Sequence, residues 1–142
     1  MAMLNSQNVY VYVVDDEKVI ADTLVVLLRQ SGFLAESFSN PLNALERAST
    51  EAPNLLISDV MMPQMSGIDL AIRLRALHPL CKVLLFSGQA ATADLLQKAR
   101  EEGYNFDLLL KPVHPTDLLA AIQRVAPHNG SRRTTLVNAK AS

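Results

Sequence analysis

Short apolar runs rich in β-branched and aromatic residues alternate along this chain with longer stretches in which apolar residues recur at helical spacing. The first run, Val9-Tyr10-Val11-Tyr12-Val13-Val14, has no polar alternation and predicts a strand buried on both faces. Over residues 17–30, Ile20, Leu24, Leu27 and Leu28 form one face of a helix, which Ser31-Gly32 ends. A weaker strand over 33–38 leads to Ser39-Asn40-Pro41, a helix start that tolerates proline in its first turn, and a helix reaching residue 50. Leu55-Leu56-Ile57-Ser58-Asp59 is a third strand and ends on an acid. Ser66 caps a helix over 67–77, which His78-Pro79 closes. A strand over 82–87, a helix over 92–102 closed by Gly103, and a strand over 106–110 follow. The last helix covers 116–125, with Thr116 as its cap and Asp117 near its positive end.

Five strand–helix units with no internal repeat predict one α/β domain, a doubly wound parallel sheet with helices on both faces. The domain is expected over residues 9–126, after an N-terminal extension over 1–8. Residues 127–142 turn polar and lose the period, and read as a flexible C-terminal tail too short to be an output domain. Composition adds exclusions. The formal net charge of −1 argues against holding nucleic acid or an anionic membrane by bulk charge. No apolar run approaches the roughly 20 residues that span a bilayer. Residues 1–8 lack the basic and apolar regions of a secretory signal, so a cytoplasmic protein is expected. The single Cys81 sits before an apolar strand and reads as a buried small hydrophobe, which fits a reducing compartment.

Ligands of an open parallel sheet bind beyond the carboxyl ends of its strands, so the residues that follow each strand carry the information. After the first strand come Asp15, Asp16 and Glu17; the third ends in Asp59; the fourth ends in Ser87-Gly88; the fifth is followed by Lys111-Pro112. Three acids, a hydroxyl and a lysine thus converge on one edge. Three carboxylates held together repel and raise one another's pKa, and a hard divalent cation such as Mg²⁺ removes that cost. With Mg²⁺ and Lys111 the local charge cancels, and the site can accept a phosphate-bearing donor. Asp59 is then the natural nucleophile, Lys111 a point charge for one phosphoryl oxygen and Ser87 a hydrogen-bond donor to another.

The set Val13-Val14-Asp15-Asp16-Glu17, Ile57-Ser58-Asp59-Val60-Met61-Met62-Pro63-Gln64-Met65-Ser66-Gly67, Phe86-Ser87-Gly88 and Lys111-Pro112 resembles the receiver domain of two-component response regulators over residues 9–126. The resemblance implies a flavodoxin-like or CheY-like (βα)5 fold with strand order 2-1-3-4-5. It implies Asp59 as phosphoacceptor, with Lys111 and Ser87 contacting the phosphoryl group. It implies Mg²⁺ on Asp16, Asp59 and the backbone carbonyl of Met61, with Asp15 acting mostly through metal-bound water. It implies a cis bond between Lys111 and Pro112, loop-shaping roles for Pro63 and Gly67, and an influence of Met61 and Gln89 on phosphoryl lifetime. The donor would be a sensor histidine kinase or a histidine phosphotransfer protein. The output would be a protein contact made by a stand-alone receiver, as a monomer or a phosphorylation-dependent dimer, and not turnover of an external substrate.

One position departs from the family pattern. Receivers usually carry an aromatic residue three positions before the lysine, where this chain has Leu108. Phe106 shares its side-chain parity on a regular strand and is either a substitute or simple core. Leu108 supports a second reading, a binding module that keeps the fold and ignores phosphate. A third, a phosphatase of the haloacid-dehalogenase type, requires an acid two residues after the nucleophile, where Met61 stands.

Overall fold

Burial on both faces explains why the central strands carry so little polarity. In the computed structural model, which describes residues 9–88 and 92–125, Val11, Tyr12, Val13 and Val14 of β1 (Tyr10–Val14) have no exposed surface, and all of β3 (Leu55–Asp59) is buried. The other strands are β2 (Leu34–Phe38), β4 (Lys82–Ser87) and β5 (Asp107–Leu110). All pairs are parallel and the order is β2-β1-β3-β4-β5, as the resemblance implies. The extension over 1–8, the tail over 127–142 and Gln89 lie outside the described residues.

Alternate side chains of each strand feed two cores. On one face Val11, Val13, Ile57, Leu84 and Phe86 meet Ala21, Leu24 and Leu28 of α1 (Lys18–Gln30) and Leu118, Ala121 and Ile122 of α5 (Pro115–Val125). On the other, Tyr12, Val14, Leu56 and Leu85 meet α2 (Pro41–Ala48), α3 (Gly67–Leu77) and α4 (Thr92–Glu101) through Ala44, Leu70, Leu74 and Leu96. Each fully buried aliphatic side chain contributes about 1.5–3 kcal/mol, so the two layers fix which strand ends meet at the carboxyl edge.

The helix ends follow local chemistry. Asn40 accepts from Leu42 N–H to start α2 and Ser66 accepts from Asp69 N–H to start α3. Gly32 and Gly103 take φ of 95° and 96° and end α1 and α4. After α4, Gly103 N–H donates to Arg100 and Tyr104 N–H to Ala99, the paired bonds of a Schellman turn. Some boundaries differ from the sequence reading. Helix α2 stops at Ala48, and α5 starts at Pro115, so Thr116 lies within the helix and does not cap it. Proline at the first helical position explains the shift, because its fixed φ suits a helix start. Strand β5 starts at Asp107, which leaves Phe106 before it.

Candidate functional site

The carboxyl edge gathers Asp15 just after β1, Asp59 at the end of β3, Ser87 at the end of β4 and Lys111 just after β5. Lys111 reaches back from the edge strand. Its Nζ lies 3.1 Å from Asp15 Oδ2 and 3.3 Å from Asp59 Oδ2. The bond from Lys111 to Pro112 is cis, as the resemblance implies. Lys111 N–H donates to the Ser87 carbonyl at 2.9 Å, so the two residues are tied through the backbone as well.

Asp15 is completely buried. Its Oδ1 accepts the Glu17 N–H at 2.9 Å while Oδ2 faces Lys111, so both oxygens are occupied and the carboxylate is fixed. Asp59 is nearly as buried, and burial pushes its pKa above the usual carboxylate range. The Lys111 charge opposes that rise and the Asp15 charge adds to it. For Lys111, burial acts against the ammonium, but the hydrogen bond to Asp15 and the two carboxylate charges outweigh it and the pKa is raised. One lysine therefore faces two buried acids, with exposed Asp16 beside them.

Asp15, Asp16 and Asp59 each offer an oxygen within 4.8 Å of the others. A close set of hard oxygen donors with one partly solvated member suits Mg²⁺, which keeps several waters and takes only a few carboxylates. The negative charge left uncompensated by Lys111 is the observation that fits a divalent cation here. Met61 lies in the loop two residues past Asp59 and its side chain is exposed. That loop is closed by Gly67, whose N–H donates to the Val60 carbonyl at 2.8 Å. A Cβ at Gly67 would sit 2.1 Å from the Asp59 carbonyl oxygen, so only glycine lets α3 start so close to the end of β3.

Two phenylalanines flank the question raised by Leu108. Phe106 stacks on Tyr104, with centroids 6.2 Å apart, at the end of β5 remote from Lys111. Asp107 pairs with Leu84 and Leu110 with Ser87, so Phe106 lies about 13 Å along the sheet from Ser87 and does not substitute for the missing aromatic. Phe86 stands at the site instead, with its ring centroid 5.0 Å from Lys111 Nζ. An apolar residue inside an apolar strand gives no sign of that contact in the sequence.

The model of the response regulator receiver domain family matches residues 11–123. The transcriptional regulatory protein CreB of Escherichia coli K12 is 38% identical over 113 residues, 80% of this chain and 48% of that protein. The chain spans less than half the length of CreB and about a quarter of the NtrC relatives it also matches. The response regulator receiver protein CpdR of Brucella abortus is 32% identical over 111 residues, 78% of this chain and 91% of that protein. Among solved structures, the Vibrio cholerae chemotaxis protein CheY4 superimposes with a TM-score of 0.73 at 27% identity, covering 82% of this chain and 98% of that one. With the strand order and the acidic edge already in view, these matches show that the chain belongs to the response regulator receiver domain family.

Proposed function

We propose that Asp59 of this receiver accepts a phosphoryl group from a histidine kinase or phosphotransfer protein, and that the chain signals through a protein contact altered by that event. The observation that carries this reading is the meeting of buried Asp59 with Lys111, 3.3 Å apart, inside a cluster of three carboxylates. In the transfer, an Asp59 oxygen bonds to phosphorus as the phosphorus–nitrogen bond of a phosphohistidine breaks, and the bonding pair leaves on the imidazole nitrogen. Lys111 offsets charge on one phosphoryl oxygen and the Ser87 hydroxyl donates to another, so positioning and charge carry the catalysis. Asp15, Asp16, Asp59 and the Met61 carbonyl would hold Mg²⁺, whose charge offsets that of the incoming phosphoryl group.

The match to CpdR, named a response regulator receiver protein, supports signalling through contact with a separate protein target. No helix among the described residues is long and apolar enough to cross a membrane. The test is intact-mass measurement after incubation with Mg²⁺ and acetyl phosphate. A single phosphoryl adduct on the native chain and none on Asp59→Asn is expected. An equal adduct on both proteins would refute the assignment.

A further inference from the structure

Lys111 touches a third group besides its two carboxylates. Its ammonium lies over the Phe86 ring, 5.0 Å from the centroid. Phe86 is 2% exposed and stands opposite Asp59 in the β3–β4 register. Its carbonyl accepts the Val60 N–H at 3.2 Å, so the ring is carried by backbone bonded to the acceptor strand. The next residue, Ser87, accepts the Lys111 N–H. Both ends of the lysine are thus tied to the same short stretch of β4.

We propose that Phe86 is a positioning residue that seats the Lys111 ammonium on its π face and thereby sets the rate at which Asp59 is phosphorylated. The inference rests on the reading of Asp59 as the acceptor. Of the three groups around Nζ, Asp59 changes during the reaction: its carboxylate becomes an acyl phosphate and the charge that held Lys111 moves outward. The ring does not change. Its quadrupole attracts the cation throughout, and such attraction is strongest away from water. Leucine at this position would fill the strand but offer no negative face. With acetyl phosphate as donor, an Asp59 oxygen bonds to phosphorus while the bond from phosphorus to the acetyl oxygen breaks, and acetate leaves with the electron pair. Phe86 takes no part in that exchange and acts only by holding Lys111 in place.

Ring fluorination separates this role from packing, because it withdraws charge from the π face at nearly constant shape. Phe86 is replaced by mono-, di- and trifluorophenylalanine, by Leu and by Trp, and labelling with acetyl phosphate and Mg²⁺ is timed for each. The apolar cleft of about 470 Å³ beside the ring, lined by Ile20, Leu24 and Val113, leaves room for the larger indole. Labelling should slow stepwise with fluorination while Tm holds, reach a loss of about two- to thirtyfold in Phe86→Leu, and recover in Phe86→Trp. The ring-current shift of the Lys111 methylene protons, read by NMR without any donor, should vanish in Phe86→Leu. A labelling rate indifferent to fluorination, in a native chain that does label, would overturn the inference. So would Lys111 methylene protons that do not respond to the loss of the ring. A native chain that fails to label where another receiver does would instead remove the acceptor reading itself, and this inference with it.

Discussion

Asp59 is held where the fold disfavours its own charge. Burial raises its pKa, so the folded chain binds the proton more tightly than the unfolded chain does. Stability from such a group is present at low pH and lost as pH rises through the folded value. At neutral pH without divalent ions the Asp59 carboxylate therefore costs stability, and Asp59→Asn should raise Tm by a few degrees in chelator. Cys81 follows the same sign: burial pushes its thiol from 9.0 up to about 12. Native Cys81 should resist alkylation at pH 8 and react at an ordinary rate once denaturant unfolds the chain; prompt modification of native protein would contradict its burial. Gly67→Ala should cost about 3 kcal/mol or more in urea unfolding, since its Cβ would meet the Asp59 carbonyl oxygen at 2.1 Å. At this scale the acids and the lysine are legible in the sequence, because polar residues at strand ends stand out against apolar runs. Gly67's close approach and the Phe86 contact are not, because each depends on a neighbour distant in sequence.

The elements themselves are legible wherever a local signal marks their ends. Gly32 and Gly103 end helices with positive φ, and Asn40 and Ser66 start them with side-chain acceptors. A Cβ added at Gly103 would meet nothing within 4 Å, so the requirement for glycine there is purely the backbone angle. Gly103→Ala should then cost about 1–2 kcal/mol and Gly103→Asn less, as measured by denaturant midpoints at unchanged slope. Ser66→Ala should cost about 1 kcal/mol through loss of the bond from Asp69 N–H. Thr116 misleads as a cap because two start signals, His114-Pro115 and Thr116-Asp117, overlap within one turn. Proline at the first helical position prevails over the hydroxyl. Strand β5 is hardest to bound, since an edge strand is buried less regularly than β1 or β3.

Across the whole molecule, function depends on topology bringing distant residues together. Asp15 and Lys111 meet at 3.1 Å although 96 positions separate them. No local pattern dictates that meeting. It follows from parallel strands in the order β2-β1-β3-β4-β5, which puts the ends of β1, β3 and β4 side by side and lets Lys111 reach in from β5. Alternation of strands and helices makes the sheet legible, and the rule that ligands bind at carboxyl ends makes its edge legible. The strand order comes only from the family resemblance, because periodicity says nothing about which strands pair. The proposed phosphorylation of Asp59 at this edge can be read out by borohydride trapping. Protein labelled with acetyl phosphate and Mg²⁺ is reduced, digested and sequenced by mass spectrometry. Homoserine is expected at position 59, the proposed acceptor. Homoserine at Asp15 or Asp16, or none under conditions that convert another receiver, would contradict that assignment.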